Sequence, residues 1–240
     1  MLKYLIIFVC IVGFLAFVLV TVFPQLTIVV PYKLLMGSLI HSSSNITSTK
    51  YVVDDAVKPQ NGKTYTFQDI SLTTDWKETK QLNGTTSLIV QFEDKKFIII
   101  NGKEMTVDLY TSLLEKAGEQ GKSNDIEQAY KELNIKNNKG MYDLMMNITN
   151  NDLSIKTSIE SARVYFLLLS MKNIMLRDAD KILTYNLNDY TFYQYKPFND
   201  KDAVEIIFFD HNNTQHWVTV GGPDLTQTTI DSLVKTFKVL

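Results

Sequence analysis

Residues Tyr4 to Phe23 form an almost unbroken apolar run that contains no charged side chain. At ~1.5 Å rise per residue, ~20 such residues make about 30 Å of helix, the thickness of a bilayer's hydrocarbon core. A helix also pairs its own backbone groups, as a lipid surrounding demands. The run therefore reads as a transmembrane anchor over residues 1–23, with the rest of the chain delivered to a membrane. A cleavable signal peptide would carry a shorter apolar core and a small-x-small exit. Val18-Leu19-Val20-Thr21-Val22-Phe23 offers no such exit, so the anchor is expected to be retained as a signal-anchor. Cys10 follows Val9 and comes too early for a lipoprotein site. Lys3 sits beside the span on its short N-terminal side, which orients the C-terminal domain outward, as an extracytoplasmic single-pass protein.

Pro24 ends the helix, since proline cannot continue the hydrogen-bond ladder. Residues 24–40 stay apolar but are interrupted by Pro31 and Lys33. Two readings stand here: an interfacial segment with Leu34, Leu35, Leu39 and Ile40 against headgroups, or a helix packed on the domain. From His41 to Lys63 the composition turns polar, which reads as a linker with one short strand at Tyr51-Val52-Val53. The folded domain is expected over 64–240.

The formal net charge is only −2, no basic stripe is visible, and the sole arginines are Arg163 and Arg177. These observations exclude a nucleic-acid partner. The lone cysteine lies inside the apolar run, so the exported part has neither a disulfide nor a cysteine nucleophile.

Tyr65, Phe67, Ile70 and Leu72 mark the opening strands of the domain. Ser87 to Phe92 and Lys96 to Ile100 are two β-rich runs joined by Glu93-Asp94-Lys95, a hairpin by length and turn chemistry. Helical spacing follows in Met105, Leu109, Leu113 and Leu114, then in Ile126, Ala129, Tyr130 and Leu133, then in Met141, Leu144, Met145 and Ile148. The longest helix is expected over Ser158 to Leu176. Strands return at Ile182 to Leu187, Tyr190 to Lys196, Val204 to Phe209 and His216 to Val220. A final helix capped by Thr226 or Asp224 buries Ile230, Leu233, Val234 and Phe237. This order predicts an α+β fold, an antiparallel sheet layered with helices and preceded by the transmembrane helix.

Thr66-Phe67-Gln68-Asp69-Ile70-Ser71-Leu72, with Trp76 shortly after, resembles the first strands of the Mog1/PsbP-like sandwich family. The strand, glycine turn and closing Thr229-Ile230-Asp231-Ser232-Leu233-Val234-Lys235-Thr236-Phe237 resemble its ending. The resemblance implies a central antiparallel sheet between helices, used for binding partners more often than for catalysis.

No Gly-x-Ser-x-Gly, His-Glu-x-x-His or Gly-x-Gly-x-x-Gly pattern occurs. Gly121-Lys122-Ser123 lacks the upstream glycine of a phosphate loop and follows a helix where a strand is needed. Asp210, His211 and His216 come closest to an acid–base or metal cluster, but a solvated turn explains them as well. No cofactor, metal or catalytic set is assigned. The aromatic strand Tyr190, Phe192, Tyr193 and Tyr195 is the candidate binding surface, with sheet packing as its alternative. The function expected is therefore a membrane-anchored, non-catalytic domain of the cell envelope that binds a protein partner. The alternative is a membrane-anchored hydrolase with a site near His211 and His216.

Overall fold

The computed structural model describes residues 21–22, 24, 27–31, 45–154, 157–176, 179–196 and 202–240. Most of the expected anchor, the greater part of 24–40 and residues 197–201 lie outside these residues. Among the described residues no helix is long and apolar enough to cross a membrane.

The fold is α+β. An eight-stranded mixed sheet is built from β1 (Ser48–Lys50), β4 (Glu78–Asn83), β5 (Ser87–Phe92), β6 (Phe97–Asn101), β7 (Ile182–Leu187), β8 (Tyr190–Tyr195), β9 (Ala203–Phe209) and β10 (Gln215–Gly221). Their order is β1-β7-β8-β9-β10-β6-β5-β4. Among the described strand pairs only β1 against β7 is parallel. A second, three-stranded sheet places β3 (Ile70–Thr74) between β2 (Lys63–Phe67) and β11 (Lys238–Val239). The helices are α1 (Leu109–Glu119), α2 (Ser123–Glu132), α3 (Asn138–Asn147), α4 (Ile159–Met175) and α5 (Gln227–Val234).

Strand alternation divides the core in two. Phe192, Val204, Ile206, Phe208, Val218 and Val220 point to one face, where Leu72 of the small sheet and Leu233 and Phe237 at the C-terminal end cover them. Tyr193, Tyr195, Ile207 and Phe209 point to the other, against Met141, Met145, Val164 and Leu168 of the helical block. Side chains of neighbouring residues leave a strand on opposite faces, so the continuous apolar run Ile206-Ile207-Phe208-Phe209 fills both cores at once.

Helix ends follow local chemistry. Asp108 caps α1 through Thr111 N at 3.0 Å, Asn137 caps α3 through Gly140 N at 2.9 Å, and Ser158 caps α4 through Ser161 N at 3.2 Å.

Two stretches read differently from the sequence expectation. The presumed linker is bound to the domain: β1 pairs with β7, Val53 is buried, and Tyr51 Oη donates to Asp231 Oδ2 at 2.5 Å. Lys235 Nζ donates to the carbonyls of Asp54 and Val57, both at 2.7 Å. A polar composition is compatible with fixed structure when the polar groups find partners, and here α5 supplies them. Within 24–40, the helical residues 27–31 place Val29 in a small core with Ile148, Leu153, Ala162 and Leu169.

Candidate functional site

The helical block does not span the sheet. Its core takes residues from β7, β8 and β9, with Trp217 of β10 at the border, and none from β4, β5 or β6. On that open half Ile89, Phe97 and Ile99 are left half-buried. Where the covered half meets the open half, an apolar cleft of about 710 Å³ runs beneath the last turns of α4.

Two cross-strand rows make its floor. One is Tyr195, Glu205, Thr219 and Ile99, from β8 through to β6. The next is Ile207, Trp217 and Asn101, from β9 to β6. Met171, Ile174 and Met175 of α4 form one wall, and Met105 and Val107 form the other. A Cβ on Gly221 would fall 2.0 Å from the Phe97 ring, so glycine there lets that ring lie flat on β10.

The Met105 wall is held from outside. Lys103 N donates to Gln68 Oε1 at 2.9 Å, Gln68 Nε2 donates to Glu104 Oε2 at 3.0 Å, and Lys103 Nζ pairs with Asp69 at 3.0 Å. At the inner end, Asn138 Nδ2 donates to Gln215 Oε1 and Gln215 Nε2 to Tyr142 Oη, both at 3.0 Å. That chain ties α3 to β10 and leaves Gln215 and Tyr142 satisfied.

Glu205 is the ionisable acid of the floor. Burial raises its carboxyl above the ordinary value, while hydrogen bonds from Trp217 Nε1 and Thr219 Oγ1 pull it back in part. Both donors engage the same oxygen, Oε2. Tyr195 beside it is pushed well up by burial and by the Glu205 charge. Asn101 is 6% exposed, and its Nδ2 has no hydrogen-bond partner. No lysine, arginine or histidine is among the described residues lining the cleft.

Compared with protein-family models, curated proteins and solved structures, the chain matches none. The site is therefore read from its own chemistry.

The expected aromatic surface does not exist as one face. Phe192 is fully buried and stacks on Phe208 at 5.2 Å between centroids and on Tyr185 at 5.0 Å. Tyr193 points the other way and donates from its hydroxyl to Asp143. Tyr190 is half-buried at the rim of the first core, where its oxygen accepts from Val239 N at 3.1 Å. Only Tyr195 reaches the cleft. The physical reason is that β8 lies inside the sheet with both faces covered, so alternation splits its aromatics between two cores.

The two histidines also part. His216 is 1% exposed, stacks on Phe208 at 4.9 Å, and has Nε2 3.4 Å from Asp210 Oδ2 and Nδ1 4.0 Å from Asp69 Oδ1. Burial lowers its pKa despite both carboxylates. His211 is exposed on the turn. Among the described residues no group of three or more His, Cys, Asp or Glu side chains is placed to hold a metal ion.

Sequence reasoning missed Asn101, Glu205 and the cleft. A signal was present in part: a glutamate in the middle of the apolar strand Ala203–Phe209 is out of place unless its position faces something other than a dry core.

Proposed function

We propose that this chain is a single-pass, membrane-tethered, non-catalytic domain of the cell envelope that binds a protein partner through the open half of its sheet. The observation that carries the reading is the apolar cleft together with its uncovered rim, where Ile174 is 76% exposed, Val107 49% and Met105 42%. Exposed apolar side chains around a concave surface mark interaction sites, and methionines re-pack readily around an incoming group. The tether rests on Tyr4 to Phe23, and the outward orientation on Lys3 beside a short N-terminus. The resemblance of the opening strands and the C-terminal strand-turn-helix to the Mog1/PsbP-like sandwich supports partner binding as well.

The test is a double substitution in the full chain, Val107→Asp with Ile174→Asp, made in the cells that produce it. Both side chains are exposed, so the melting temperature should hold, surface changes being worth within about 0.5 kcal/mol each. Cross-linked complexes should disappear, while the chain stays in the membrane fraction through carbonate extraction. Retention of the same complexes by the double variant places the partner surface elsewhere. Release by carbonate removes the tether.

A further inference from the structure

Partner binding at the rim leaves the deep end of the cleft unexplained. There the floor holds a side-chain amide that is more than nine-tenths buried and unpartnered at Nδ2, Asn101, and a half-buried carboxyl, Glu205. Apolar packing alone does not require either, and an orphaned buried donor costs free energy that a fitting acceptor would return. We propose that the deep end of the cleft is a binding site for an uncharged amphiphile, a single aliphatic chain ending in a carbonyl-bearing head such as a primary amide.

The argument has three parts. Asn101 Nδ2 is a donor without an acceptor, so the head must bring an acceptor. An anionic head is disfavoured because the described lining contains no cation to meet it. A cationic head would place donors against the Asn101 donor, and it would need Glu205 ionised where burial favours the neutral acid. The chain then lies among Ile99, Met171, Met175, Ile207 and the Trp217 ring. A cleft of about 710 Å³ falls within the ~300–1,000 Å³ range of small-molecule sites. From strand spacing the Cα atoms of Asn101 and Glu205 stand roughly 12 Å apart, so the head meets one while the chain passes the other.

The chain has two tryptophans, and Trp76 packs in the opposite core against Phe92 at 5.4 Å. A Trp76→Phe background therefore isolates Trp217 as a reporter inside the cleft. The full chain in lipid nanodiscs is titrated with three probes of one chain length: 11-bromoundecanamide, 11-bromoundecanoate and 11-bromoundecyltrimethylammonium. The amide should quench Trp217 saturably, and the two charged probes should bind at least tenfold more weakly at neutral pH. Asn101→Leu should weaken the amide at least tenfold while its melting temperature is held or raised, which separates lost recognition from lost folding. Non-saturable quenching by the amide, equal affinity in Asn101→Leu, or preference for either charged probe overturns the proposal. The inference goes beyond partner binding and stands apart from it. Absent amide binding with intact Ile174-dependent complexes removes this site alone, and the converse result removes only the partner surface.

Discussion

Thr219 Oγ1 donates to Glu205 Oε2 at 3.0 Å across two neighbouring strands, and Trp217 Nε1 reaches the same oxygen. The pair keeps a carboxyl in place under an apolar cleft where burial raises its pKa. The native state therefore binds more protons than the unfolded state between the ordinary value, 4.5, and the raised one. Stability falls as pH climbs through that window. Glu205→Gln keeps an acceptor for both donors and has no proton to lose. The wild type should gain stability relative to this variant as pH is lowered from 7 towards 4, read as the difference between two melting-temperature profiles. Parallel profiles would show that Glu205 is solvated.

Lys172 gives the opposite sign. It is fully buried in α4, and Nζ donates to the carbonyls of Ile148 at 2.6 Å and Met146 at 3.3 Å, near the end of α3. Burial lowers its pKa to about 8, against the pull of Asp152. Between about 8 and the ordinary 10.5 the unfolded chain holds a proton that the native one has released. Stability from this group rises with pH across that interval. Lys172→Met fills the same space without titrating, so the wild type should gain on it between pH 8 and 10.5 in chemical denaturation.

Phe237 is 1% exposed and lies 5.6 Å from Phe208 and 6.2 Å from Phe192, centroid to centroid. Phe237→Ala should cost ~3–5 kcal/mol, a large part of the ~5–15 kcal/mol that holds a typical domain folded. Lys238→Ala, at an exposed position of β11, should change the melting temperature little. Equal melting of the two would mean that the C-terminal end does not close the first core.

Asn101→Leu should raise stability by ~1–3 kcal/mol, because it removes a buried donor with no acceptor. Urea denaturation of the unliganded chain reads this directly. Stabilisation coupled to lost amide affinity is the pattern of a binding group held at a cost to the fold. A destabilised variant would show that Asn101 serves packing.

Local chemistry carried most of the fold into the sequence. The 87–92 and 97–101 hairpin, α4 with its Ser158 cap, and α5 with Thr226 accepting from Thr229 N at 3.2 Å all follow from spacing and caps within a few residues. What was not legible depends on distant partners. The segment from Ser48 to Gln60 looks like a linker until α5 and β7 are beside it. Tyr190 to Tyr195 look like one aromatic surface until both faces of β8 are covered. The cleft is set by how far the helices reach across the sheet, which no local pattern states. Asn101 and Glu205 were passed over for the same reason: each is a polar residue in a strand, and only the bare half of the sheet gives it meaning.

The central claim is that the open half of the sheet is the binding face. Ile174 on its rim and Val52 on a remote loop are each 76% exposed, which makes them matched positions for a photo-reactive side chain. p-Benzoylphenylalanine placed at 174 in the full chain, irradiated in its own membrane, should give a discrete protein adduct, and the same residue at 52 should give none. Adducts from 52 alone, the same adducts from both positions, or none from 174 would contradict the account.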